Sequence, residues 1–349
     1  MMTHPIVTLI VAPRERFSYA RTSLESLYEH TQIPFKLVYV DGNSPKPLKS
    51  YLEEQAQLKG FELLRTEHYL YPNQARNFGL RQVDTKYLVF VDNDVVVSPG
   101  WLKALVQCAE ETNAAVVGPL MCQHQPLHQE IHFAGGESHI WVDKLGRRRL
   151  REKMLYQGKQ VNEMLSQLKR TATELAEFHC VLVRRSIFEK TGQLDEAMLN
   201  TKEHLDFCMT VRAAGETVYF EPDALVTYVP GPPQEWADVH YYMLRWSDEW
   251  TLASLKRLQE KWSLSEDGYF KTKYKQLGWR RYGALIDPLV RKLTFGVGSS
   301  FLARAIAKLE HPLNRYLTRR HRTGRRQMQP TVTKFPSLSS AERSVDAAG

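Results

Sequence analysis

The chain has 349 residues, 43% hydrophobic and 25% charged, the balance of a globular protein rather than of a disordered or fibrous one. Its four cysteines, Cys108, Cys122, Cys180 and Cys208, are scattered without a CxxC pair, which argues against a disulfide framework and for a reducing compartment. A net charge of +8 directs attention to anionic partners: a nucleotide, a phospholipid surface or a nucleic acid. No basic segment followed by a long apolar one opens the chain, so no signal peptide is expected. No run approaches the roughly 20 apolar residues of a membrane span; the best, 293–306, is interrupted by Gly, Ser and Arg304.

The first predicted strand, 6–11 (IVTLIV), ends in the charged loop Pro13-Arg14-Glu15. Helical spacing follows over 19–28. A second strand, 35–40, runs into Asp41-Gly42-Asn43-Ser44-Pro45, a dense turn signal that carries a carboxylate. Pro47 opens a helix to about 58, 61–64 is a short third strand, and 73–82 is a helix with Arg76 and Asn77 near its start. The stretch 87–95 (YLVFVDNDV) is a continuous apolar run, as expected of a strand covered on both faces. Asp92 and Asp94 stand two apart at its carboxyl end, so in an extended chain both face one point. Two hard oxygen ligands with positions left open suit Mg²⁺ or Mn²⁺ carrying a diphosphate. Taken alone, the tripeptide is also an ordinary polar turn after a core strand.

Alternating strands and helices at this spacing predict right-handed crossovers and a largely parallel sheet. Ligands then belong at the carboxyl ends of the strands. No GxGxxG follows the first strand and no GxxxxGK[ST] occurs, which sets aside a dinucleotide site and a P-loop. The histidines His124, His128, His132 and His139 do not follow a zinc spacing and read as a polar loop. The region 145–170 is charged and is expected to be helical in its second half, with Met154, Leu155, Val161, Met164, Leu165 and Leu168 as an apolar stripe. A further strand is expected within 176–183. The segment 202–215 predicts a helix ending at Gly215, with Glu203, His204 and Asp206 crowded into its first turn. The helix dipole explains the two acids; a general base offered to an acceptor hydroxyl explains all three. After a strand within 217–229, the cluster Pro230-Gly231-Pro232-Pro233 marks an edge. Helices are expected over 236–262 and 285–317, and then the basic group Arg315, Arg319, Arg320, Arg322, Arg325 and Arg326.

Several of these stretches share order and spacing with one family. VTLIVAPRER, LVYVDGNS, NQARNFGL, YLVFVDNDV with SPGWL, IHFAGG, and EFHCVLVRRSIFEKTGQLDE followed by KEHLDFCMTVRAAG resemble family 2 glycosyltransferases of the GT-A fold, over about 7–229. The resemblance implies an α/β GT-A domain over 1–230 with a mostly parallel Rossmann-like sheet; beyond it, helical spacing and basic residues predict a helical basic extension over 231–326, and a Ser, Pro and Ala-rich composition predicts a disordered tail over 327–349. It implies a metal-dependent inverting transfer from a nucleotide-diphosphate sugar to a hydroxyl of a glycan, polysaccharide or lipid-linked acceptor. Pro13, Arg14, Glu15 and Asp41 would bind base and ribose, with Arg76, Asn77, Asp92 and Asn93 near the nucleotide. Asp92 and Asp94 would hold Mn²⁺ or Mg²⁺, Asp94 more directly. The catalytic base would be His204, then Asp206, then Glu203. Two departures stand out. His204 occupies the usual Asp position of a Glu-Asp pair, and Tyr228 stands where some members place a metal-binding histidine. They leave open a degenerate domain that binds a nucleotide sugar or glycan without turnover. A nucleotidyltransferase is disfavoured because residues 12–16 lack glycine. Nucleic-acid binding through the arginine group lacks a reading motif; contact with anionic lipid fits it better. The expected location is cytoplasmic, peripheral on the inner membrane face.

Overall fold

A computed structural model describes residues 4–230, 235–325 and 331–333. Four parallel strands come first: β1 (Val7–Ala12), β2 (Lys36–Gly42), β3 (Glu62–Thr66) and β4 (Tyr87–Asp92). They alternate with α1 (Ala20–His30), α2 (Lys46–Lys59) and α3 (Pro72–Leu80). Every residue of β1 and β4 is buried, which is why both read as unbroken apolar runs. The two-residue turn Asn93-Asp94 separates β4 from β5 (Val95–Val97), so the acidic pair ends one strand and precedes another instead of lying in one extended segment. Helix α4 (Trp101–Thr112) leads to β6 (Val116–Gln123) and β7 (Glu130–Phe133).

The region expected to be helical behaves differently. Residues Gly136–Val142 (β8) and Arg148–Met154 (β9) form an antiparallel hairpin, and only Val161–Met164 (α5) is helical. Leu150, Glu152 and Met154 are less exposed than Arg151 and Lys153 between them, a period of two hidden by charge on both faces. β10 (Thr171–Thr173), β11 (Cys180–Arg184), α6 (Ile187–Thr191), α7 (Glu203–Ala213) and β12 (Val218–Tyr228) follow. The predicted 236–262 helix is two helices, α8 (Trp236–Arg245) and α9 (Asp248–Lys261), with Ser247 capping the second through the Trp250 N–H. Then come α10 (Gly268–Arg281), a π-turn at Tyr282–Ile286, α11 (Asp287–Leu293) and α12 (Ser300–Arg325). Thr331–Thr333 (β13) pairs antiparallel with β3, so this part of the expected disordered tail is sheet. Residues 231–234, 326–330 and 334–349, which hold most of the predicted Pro-Gly edge, Arg326 and the rest of that tail, lie outside the described residues.

The main path of the large sheet runs β10-β12-β6-β11-β4-β1-β2-β3-β13. The chain leaves β1 toward β2 and β3, then returns to place β4 on its other side. That reversal opens a crevice at the carboxyl ends of β1 and β4. β11 enters antiparallel to β4, with Cys180 opposite Val91, and β5 pairs the end of β12, with Tyr228 opposite Val95. Four separate stretches of chain thus meet at one rim. The apolar core does not stop at residue 230: Tyr241, Leu255, Leu258, Leu264 and Phe270 belong to the same cluster as the strands.

Candidate active site

Asp92, Asp94 and His179 meet at this rim, each offering a ligand atom within 4.8 Å of the others'. His179 immediately precedes β11, and its carbonyl accepts the Asp92 N–H at 2.8 Å; sheet pairing therefore sets it beside the acidic pair. Its Nδ1 comes within 2.9 Å of Asp92 Oδ2, yet neither atom has a hydrogen-bond partner, nor does either Asp94 oxygen. Four buried ligand atoms without partners would be costly in an inert core. These residues would fit a divalent cation, since two carboxylates with one imidazole suit Mn²⁺ or a comparable ion. Burial, then Asp92 and Glu15, push the Asp94 carboxyl well up; burial, then Arg14, holds His179 well down and so neutral, the state that ligates. Tyr228 stacks on the His179 ring, centroids 3.8 Å apart at 23°, and His132 meets it edge-on at 5.5 Å. Tyr228, at the end of β12 where some members of the family are expected to carry a histidine, thus backs the His179 ring beside the acidic pair.

The other predicted residues divide into those that face the crevice and those that support it. Arg14 Nε lies 3.6 Å from both Glu15 Oε1 and Asp92 Oδ2, and Glu15 is buried beneath Arg280, 3.5 Å away. Asp41 is occupied by the Ser44 N–H and hydroxyl, each at 2.9 Å, and by Arg65. Pro13 packs on Gly42, where an added Cβ would sit 3.2 Å from Pro13 Cγ. Arg76 is 1% exposed; it donates to Asp92 Oδ1 at 2.9 Å and lies over Phe178, so it braces a carboxylate rather than reaching solvent. Asn77 holds the loop at Leu194 and Glu196. Asn93 accepts the Arg14 N–H at 2.8 Å and donates to the Arg16 carbonyl, fastening the loop after β1. Helix α3 and the β4 turn aim these last three into the protein, where they hold the crevice from behind.

A cavity of about 300 Å³ adjoins the triad through His179; Arg14, His132, Tyr228, Trp246 and Arg280 line it, as do Glu152, Glu177, Lys202, Glu203 and His204. His204 Nε2 is 3.3 Å from Glu177 Oε1. Burial, with Lys202 nearby, holds His204 down to about 3, and burial pushes Glu177 up to about 7. Asp206 does not line this cavity. It points from the opposite side of α7 to Lys261 Nζ and Trp262 Nε1, both at 2.7 Å, so of the three candidate bases only Glu203 and His204 reach the space. Among the remaining histidines, His128 bonds Thr227 at 2.7 Å and His139 pairs with Glu174 at 2.7 Å. His179, Glu177, Glu152 and Arg280 were not singled out from sequence. A histidine one residue before a buried strand was the available signal for His179, and it acquires meaning only once β11 is known to lie beside β4.

The glycosyl transferase family 2 model matches residues 8–192, more than half of the chain, including Asp92, Asp94 and His179. The chain belongs to glycosyl transferase family 2. It is 25% identical over 238 residues to the pre-mycofactocin glycosyltransferase of Mycobacterium tuberculosis, covering 65% of this chain and 43% of that one. It is 27% identical over 215 residues to the O-antigen biosynthesis protein RfbC of Myxococcus xanthus, covering 60% and 16%. An uncharacterized protein, y4gI of Sinorhizobium fredii, matches at 24% over 231 residues, 62% and 24%. The family 2 chain thus spans less than half the length of these relatives. Among solved structures it is similar to GalNAc-T7, crystallised with UDP, GalNAc and Mn²⁺: TM-score 0.52, 16% identity, 82% of this chain and 58% of that one. That likeness shows the fold, which is GT-A.

Proposed function

We propose that this family 2 chain transfers a sugar from a nucleotide-diphosphate sugar to an acceptor hydroxyl, with inversion. The observation that carries the reading is the convergence of buried ligand atoms on Asp92, Asp94 and His179, within 4.8 Å of one another, beside a cavity that His179 lines together with Glu203 and His204. Those three residues would hold the divalent cation, which when bound neutralises charge on a diphosphate leaving group. Arg14 and Arg280 add fixed positive charge beside it. Arg76 keeps Asp92 aimed from below. The acceptor hydroxyl would sit against α7, where its proton would pass to His204; burial disfavours the imidazolium so formed, and the Glu177 carboxyl 3.3 Å away would stabilise it by taking up negative charge as it forms. Asp41 with Arg65 and Ser44 forms the floor for the base and ribose. The name of the Myxococcus relative supports a surface glycan as acceptor, polysaccharide or lipid-linked. The reading further places the protein on the cytoplasmic face of a membrane, with Arg315, Arg319, Arg320 and Arg322 toward anionic lipid; among the described residues no helix is long and apolar enough to cross one.

The test is a thermal-shift and turnover screen of nucleotide sugars with Mn²⁺ and Mg²⁺, using wild type, Asp94→Ala and His204→Ala. Metal-dependent stabilisation by one nucleotide, lost in Asp94→Ala, supports the donor site. Turnover reduced at least about 100-fold in His204→Ala with donor binding kept supports the base. Stabilisation without turnover against any acceptor in wild type would turn the reading to a binding protein. Near-normal turnover in folded Asp94→Ala would remove it.

A further inference from the structure

The helices after residue 286 carry a surface that the transfer chemistry does not use. α11 and α12 pack on each other through a small core of Ile286, Val290 and Ala303, with Leu302 and Ile306 against it. The turn that joins them exposes its apolar residues almost completely: Phe295 is 97% exposed, Val297 87% and Phe301 79%, with Leu293 at 56% beside them. The turn is built to do this. Phe295 has φ +51° and Gly296 and Gly298 have φ +91° and +80°, and a bulky residue in that region carries a conformational cost. Its backbone is tied down by Gly296 N–H to the Arg291 carbonyl (2.8 Å), Val297 N–H to the Thr294 carbonyl (3.1 Å) and Gly298 N–H to the Thr294 hydroxyl (2.9 Å). A strained, well-bonded turn that displays two aromatic rings and a valine to water gains nothing from that display within the protein itself.

Charge identifies what it meets. Residues 287–325 contain nine lysines and arginines and two acidic residues. Both acids are already paired, Asp287 with Arg291 and Glu310 with Arg281, each at 2.8 Å. At 3.6 residues per turn, Phe301, Leu309, Leu313 and Tyr316 share one exposed face of α12, with Arg304, Lys308, Arg315 and Arg319 along its border. An apolar strip bordered by cations, ending in an apolar tip, matches an acyl-chain boundary beneath anionic headgroups.

We infer that the α11–α12 hairpin docks on an anionic lipid bilayer, with Phe295, Val297 and Phe301 entering the interface and the bordering cations contacting headgroups. This goes beyond electrostatic contact by the terminal arginines, because the tip makes attachment depend on apolar insertion. It is independent of the transfer reading, since no residue of the cavity takes part.

The experiment is flotation of the full chain with vesicles of phosphatidylglycerol and phosphatidylcholine, and with phosphatidylcholine alone. Wild type should prefer the anionic vesicles by at least about tenfold, less so at high salt. Replacing Phe295, Val297 and Phe301 together by serine should weaken binding at least about 100-fold, with Tm unchanged. Arg304→Gln with Lys308→Gln should lose the preference for anionic vesicles only. Phe295→Trp should shift its fluorescence to the blue on anionic vesicles. Equal binding by the triple-serine variant, or no blue shift, would overturn insertion. Self-association abolished by the serine variant, without vesicle binding by wild type, would assign the tip to a second copy of the chain instead.

Discussion

Asp94 shows how a residue prepared for a ligand costs stability without it. Its carboxyl is fully buried, has no hydrogen-bond partner, and is held well above the usual carboxylate range by burial, Asp92 and Glu15. A folded pKa raised above the unfolded one means stability is greatest below about pH 3.8 and is lost as pH rises. In chelator, Asp94→Asn should therefore be more stable than wild type at neutral pH by at least about 1 kcal/mol, with the gap widening from pH 4 upward, measured by thermal unfolding. In excess Mn²⁺ the order should reverse. Glu152 carries the opposite sign. Burial alone would raise it, but Lys202 and Lys273 overcome that and hold it well below the usual range; Lys202 Nζ lies 2.7 Å away and the Tyr269 hydroxyl donates at 2.7 Å. That contribution is present above the unfolded pKa and lost as pH falls. Glu152→Gln should cost about 3–5 kcal/mol at neutral pH by leaving Lys202 buried and unpaired, and the difference from wild type in urea midpoint should close below about pH 4.5.

Element by element, the closest approach lies where α3 crosses β1. A Cβ on Gly79 would sit 2.4 Å from Ile10 Cγ2 and 3.3 Å from Val40 Cγ2, and both neighbours are β-branched side chains with little freedom to yield. Gly79→Ala should destabilise by about 1–3 kcal/mol, read from the urea midpoint, and should shift Arg76, one turn earlier on the same helix, enough to lower Mn²⁺ affinity. The elements that sequence displayed clearly are the ones whose burial matches their period: β1, β2 and β4 as apolar runs, α4 and α7 as helices. The β8–β9 hairpin was not legible. Its inward residues Leu150, Glu152 and Met154 include a carboxylate that is buried only because Lys202, Lys273 and Tyr269 arrive from α7's approach and α10 to satisfy it.

Across the whole molecule, the helices after residue 234 supply Trp246, Lys273, Gln276 and Arg280 to the cavity wall. Arg280 lies over Trp246, 4.1 Å from the ring centroid, and Ser18 donates to Asp238 with its N–H at 3.0 Å and its hydroxyl at 2.6 Å. Arg281, 3% exposed, donates to Glu310 at 2.8 Å and to the Trp246 carbonyl, joining α12 to α8 and α10. Arg281→Met should cost about 3–5 kcal/mol, and limited proteolysis should then cut between α10 and α12 before it cuts the sheet.

Sequence alone determined the family, the parallel half of the sheet and the acidic pair, because an apolar run ending in carboxylates and its repeat spacing are local properties of the chain. It also brought His204 and Glu203 forward as neighbours at a helix start. The tertiary structure decided which atoms share the site. β11 sets His179 beside Asp92 from 87 residues away in the chain, and Lys261 and Trp262, at the end of α9, hold Asp206 on the other side of α7 from the cavity. A ligand set is a coincidence in space, and pairing registers and helix rotations, which no local pattern encodes, are what produce it.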